Sequence, residues 1–105
     1  MKKIPNIGKL VNLEILELPQ TLENLPEGIS NLISLKMLDL TTMNFRKVPD
    51  VSKMKKLKLF SFTLLEGEYY ADNQVKLKKI LKEHPQCNVV VYDRSGKTIR
   101  EFTRI

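Results

Sequence analysis

At 105 residues and 42% apolar side chains, the chain has room for one small domain with a modest core and none for a second. Its single cysteine and the lack of any long apolar run argue against a disulfide scaffold and a membrane-spanning helix. The opening stretch MKKIPNIGKL holds no apolar segment of a secretory signal, so a soluble, cytoplasmic protein with no membrane partner is expected.

A 22-residue step organises the first 62 residues. It relates Leu10, Leu32 and Met54, then Leu13, Leu35 and Leu57, then Leu16, Leu38 and Phe60, then Leu18, Leu40 and Phe62. The segments LVNLEILEL, LISLKMLDL and MKKLKLFSF share that frame, and a proline element precedes each, as IPNIGKL, LPEGISNL and VPDVSKM. Units at about 4–24, 25–47 and 48–69 follow, each passing from a proline turn and a short 3-10 or helical stretch into a strand. No unit buries its own apolar face, so stability must come from stacking one on the next. Side chains alternate across a strand, which turns Leu16 and Leu18, Leu38 and Leu40, and Phe60 and Phe62 inward. The outward residues then form three columns: Ile15, Met37 and Leu59; Glu17, Asp39 and Ser61; Pro19, Thr41 and Thr63.

This pattern resembles the leucine-rich repeat family. The resemblance implies an α/β fold: a short right-handed solenoid with parallel strands on a concave face and 3-10 or helical segments on the convex side. In that family the concave face commonly holds the partner, which makes the three columns the candidate contact surface. The sequence departs from the family at the turn position usually held by asparagine, where Thr21, Met43 and Leu65 stand, so irregular units are expected.

Beyond the repeats, residues 70–105 read as a C-terminal cap. Asp72 is a plausible N-cap for a helix ending near Lys82 to His84, with Val75, Leu77, Ile80 and Leu81 on one apolar face. The stretch LKKILKEHPQCNVVVY is similar to the ending of intracellular bacterial members of the family, a helix followed by a last parallel strand; the Lys- and Ile-rich composition also points to a bacterium. That strand would bury Cys87, Val89 and Val91 and add Val90 and Tyr92 to the concave surface. Asp93-Arg94-Ser95-Gly96 is a turn signal, which predicts a terminal β-hairpin whose charged second strand, with Lys97, Arg100, Glu101 and Arg104, guards an edge. The first strand has no comparable cover. A larger parent chain, self-association into a homodimer through that N-terminal edge, and a minimal cap from Met1 to Ile7 all satisfy the pattern.

Catalytic chemistry finds little support. His84 and Cys87 are too few for a structural zinc site, and an inward Cys87 reads as a buried thiol while His84 reads as a partner for the helix C-terminal dipole. Glu17 and Asp39 read as specificity contacts or as merely solvated carboxylates rather than an acid-base pair, and the four glycines form no phosphate loop. A non-enzyme without cofactor or metal is therefore expected. Residues 46–105 carry 14 Lys or Arg against 7 Asp or Glu, and two lysine clusters, Lys53 to Lys58 and Lys76 to Lys82, make a basic flank. Without an RNA- or DNA-binding signature, nucleic-acid binding is not the expected role. The reading is protein recognition by the concave face, with the basic flank on nucleic acid or an anionic surface, and structural self-assembly, as the alternatives.

Overall fold

Strand, turn and strand recur at the spacing of the repeat in the computed structural model, which describes residues 9–16, 28–41 and 47–105. Among the described residues, four strands, β1 (Ile15–Leu16), β2 (Met37–Leu40), β3 (Leu59–Thr63) and β4 (Asn88–Tyr92), make one parallel sheet in chain order. The helix α1 (Tyr70–Glu83) connects β3 to β4. The protein is thus a small α/β fold.

Register follows the 22-residue step, pairing Ile15 with Met37, Met37 with Leu59, Leu38 with Phe60 and Leu40 with Phe62. The β4 ladder continues it, placing Val89 beside Phe60 and Val91 beside Phe62. Alternation along β2 buries Leu38 and Leu40 completely and leaves Met37 and Asp39 exposed. One apolar face thus becomes a single core, in which Phe60 and Phe62 stack with ring centroids 6.3 Å apart. Burial falls off at the described part of the first unit, residues 9–16. Leu10 is 50% exposed although its counterparts Leu32 and Met54 are fully buried. Of the expected short helical segments, Ile29–Asn31 forms a 3-10 turn, led in by Gly28 at a left-handed φ of 84°.

Helix α1 differs from its expected form at both ends. It begins at Tyr70, after a chain reversal at Gly67 whose carbonyl accepts from the Tyr70 amide, and Tyr69 occupies the cap position. Asp72 is therefore in the first turn instead of capping it, 3.3 Å from Lys76. Val75 does not join the apolar face; it is 67% exposed. The buried stripe runs through Asn73, Leu77, Ile80 and His84, four or three residues apart, which places Val75 on the far side of the helix. Asn73 can occupy the stripe because its Oδ1 accepts a 2.9 Å bond from the Val48 amide, so a buried amide ties the helix to the third proline turn.

The terminal hairpin is likewise only partial. The turn forms, with Asp93 Oδ1 accepting from the Ser95 hydroxyl and from the Ser95 and Lys97 amides. The return segment pairs antiparallel at just two isolated bridges, Tyr92 with Thr98 and Val89 with Arg104, and a 3-10 turn at Arg100–Phe102 interrupts it. That turn drops Phe102 into the core, where it is 1% exposed; a regular strand would not reach there. Arg104 is no outward guard. Its guanidinium reaches the carbonyls of Leu81 (2.8 Å) at the end of α1, of Cys87 (2.9 and 3.2 Å) before β4, and of His84, which also accepts the Cys87 amide.

Candidate partner-binding face

The face of the sheet opposite α1 brings most of the candidate contact residues together. Ile15, Met37 and Leu59 form one cross-strand row, with Ile15 55% and Met37 38% exposed and Leu59 half-buried. Asp39, Ser61 and Val90 form the next row, and Thr63 and Tyr92 the last. Glu17 and Pro19 lie outside the described residues. The apolar content of this face rests on Ile15, Met37, Leu59, Val90 and Tyr92.

The polar residues are less free than the sequence suggests. Asp39 Oδ1 accepts from the Thr41 amide at 3.0 Å and from its hydroxyl at 2.7 Å, so the carboxylate and one hydroxyl are spent on ending β2. The Thr63 hydroxyl donates to the Thr41 carbonyl at 2.9 Å. Ser61, expected as an outward polar contact, is 8% exposed because its short side chain lies below those of Asp39, Val90 and their neighbours. The face therefore offers shape and apolar contact more than free side-chain hydrogen-bonding groups. An open groove of about 650 Å³ extends it at the carboxyl ends of β2, β3 and β4, lined by Thr41, Thr63, Leu65, Glu66, Tyr92 and the Asp93 turn.

Behind the sheet, the His84 and Cys87 pair has no catalytic geometry. Burial pushes the Cys87 thiol above its ordinary value, the neighbouring Arg104 only partly opposing this, which disfavours the thiolate a nucleophile needs. Its Sγ lies 3.4 Å from the Asn88 carbonyl. His84 is 5% exposed and its Nε2 has no hydrogen-bond partner. Burial lowers its pKa, against smaller opposing effects from the Val51 backbone and Glu83, so the ring is neutral near pH 7 and is not the cationic dipole partner expected. No group of three or more His, Cys, Asp or Glu able to hold a metal occurs among the described residues.

This histidine gives the protein an acid-side weakness. The folded state holds the imidazole neutral while the unfolded chain takes up a proton near pH 6.5, so stability is complete above that value and falls as pH drops below it. Urea midpoints should therefore decrease between pH 7.5 and about 5, and His84→Gln, which removes the chain's only histidine, should flatten that slope. The carboxyls with lowered values, Asp50 and Asp93, lose their stabilisation at lower pH and leave this window to His84.

Two features escaped the sequence reading. Arg104 looked like an edge charge because nothing local marks a residue that folds back across 20 positions to reach His84. The outer residues of the turns before each strand went unread, although 11, 33 and 55 obey the same 22-residue step. Compared with known proteins, the chain matches no family model, no curated protein and no solved structure. No helix among the described residues is long and apolar enough to cross a membrane.

Proposed function

We propose that the chain is a short leucine-rich repeat solenoid, a cytoplasmic, non-catalytic module that recognises another protein through the sheet face opposite α1. The observation that carries this reading is the registered row of Ile15, Met37 and Leu59. Its members are apolar, Ile15 and Met37 are exposed and Leu59 half-buried, the row ends on β4 at the exposed Asn88, and Val90 and Tyr92 add apolar surface in the two rows beside it. Scattered exposed aliphatic residues need no explanation, whereas a contiguous row on a preformed rigid sheet is what an interface core requires. Tyr92 adds area and a hydroxyl at one end, a combination favoured at contact centres. The 22-residue step and the parallel ladder support the solenoid part of the reading; the buried Cys87, whose thiol burial holds protonated, supports the non-catalytic part.

Photo-crosslinking from position 37 identifies the partner, and its affinity for variants then tests the face. Met37→Glu should weaken binding by a factor of about ten to a hundred, the scale of an interface anchor, with the fold intact because the side chain faces solvent. Val75→Glu, on the exposed side of α1, should leave binding unchanged. If the Met37 variant bound as tightly as the parent chain, this face would not be the contact surface.

A further inference from the structure

The turns leading into β1, β2 and β3 are one turn used three times. In each, an amide bonds back three residues: Leu13 to the Leu10 carbonyl at 3.0 Å, Leu35 to Leu32 at 3.2 Å, and Leu57 to Met54 at 3.1 Å. The two residues spanned by each bond are Val11-Asn12, Ile33-Ser34 and Lys55-Lys56. Backbone bonds stack the turns on one another, Lys36 donating to the Glu14 carbonyl at 2.7 Å and Lys58 to the Lys36 carbonyl at 2.8 Å. The spanned pairs therefore line one edge of the sheet, where its strands begin.

That edge changes character along its length. Val11 is 41% and Ile33 49% exposed, while the equivalent place in the third unit is taken by the exposed Lys55, followed by the exposed Lys56. Helix α1 runs against the strands that it joins, so its last turn, with exposed Lys82, ends at the same edge. The strand-start turn and the end of α1 lie close together: the Lys55 charge acts on His84, the residue that caps the helix, while Lys79 and Lys53 both act on the Asp50 carboxyl beside them. Of the described acidic residues at this edge, Glu14 is drawn onto Lys36 at 3.4 Å, and the exposed Glu83 stands beside Lys82 at the helix end.

Aliphatic side chains and lysines on one edge suit a surface that offers hydrocarbon and phosphate together. We propose that this row of turns docks the protein on an anionic lipid bilayer, with Lys55 and Lys56 against lipid phosphates and Val11 and Ile33 entering the headgroup boundary. Lysine is attracted to an anionic leaflet within a Debye length, and buried aliphatic area adds to that attraction. A nucleic-acid backbone would engage the lysines and leave Val11 and Ile33 without a role. This docking uses the strand-start edge and leaves the sheet face free for a protein partner.

Co-sedimentation with phosphatidylcholine vesicles, with and without about a quarter phosphatidylserine, tests the idea on the intact chain. Binding should require phosphatidylserine and be released by about 0.5 M salt. Lys55→Glu with Lys56→Glu should weaken it at least about thirtyfold, and Ile33→Ser should weaken it severalfold at every salt concentration. Arg94→Glu, in the turn after β4 on the opposite edge, should bind as the parent does. All these side chains are exposed, and circular dichroism verifies that each variant is folded. Equal binding to neutral vesicles, no binding to anionic ones, or an unaffected double lysine variant would overturn the proposal. Tight binding to a short DNA duplex without vesicle binding would overturn it too, assigning the lysines to a phosphate chain.

Discussion

Arg104→Ala should remove about 3 kcal/mol of folding stability, a large share of what a domain of this size possesses. The guanidinium donates to the carbonyls of Leu81, His84 and Cys87, and it is the side chain that joins the last residues of the chain to the end of α1 and the start of β4. Truncation takes the guanidinium donor from the partly buried Leu81 and Cys87 carbonyls and leaves the His84 carbonyl with the Cys87 amide, 3.0 Å away. It also loosens the Val89 and Arg104 bridge, and with it the 3-10 turn that holds Phe102 in the core. Arg104→Lys should recover only a minor part, since a point-like ammonium cannot serve three separated carbonyls as a planar fork does. Urea titration at pH 7.5 gives the magnitude, and faster proteolysis behind Tyr92 should accompany it. A loss below about 1 kcal/mol would mean that Phe102, the backbone bonds between Arg104 and Val89 and the Thr103 hydroxyl on Val91 hold the tail without the guanidinium.

Phe62→Ala should be costlier still, about 3–5 kcal/mol, because it empties a site that is 1% exposed and in the middle of the sheet. Phe62 pairs with Leu40 on one side and Val91 on the other, and stacks in near-parallel fashion on Phe60, the rings inclined by 9°. No neighbour can collapse into the gap without breaking the register of three strands. Phe62→Leu restores the residue type of the preceding units and should cost about 1–1.5 kcal/mol, the smaller volume being partly offset by repacking. Thermal and urea unfolding of both variants separate the cases. Should leucine prove as damaging as alanine, the aromatic stack would be specifically required at the third unit, and the repeat would not be interchangeable there.

The contrast between these two residues shows what could be read without coordinates. Phe62 announces itself, since it occupies a leucine position of a 22-residue frame and strand alternation sends it inward. The same logic gave the order and direction of the strands, the inward set of Cys87, Val89 and Val91, and the row of Ile15, Met37 and Leu59. Val75 shows where it stops. On a helix of alternating character, an apolar residue and an asparagine compete for the inner stripe, and the outcome depended on the Val48 amide, a donor 25 residues from Asn73.

What the sequence determined by itself is the repeat, hence the parallel sheet, its register and the face on which each strand residue lies, because periodicity is a local property that stacking only multiplies. Tertiary structure decided the rest through contacts between residues far apart in the chain. It turned Arg104 from an edge charge into a clamp, buried His84 as a neutral ring, engaged Asp39 and Thr63 in backbone bonds, and gathered the lysines of a turn and a helix on the edge that also presents Val11 and Ile33. Those outcomes depend on which donor reaches which acceptor once the layers are packed, and no spacing along the chain encodes that distance.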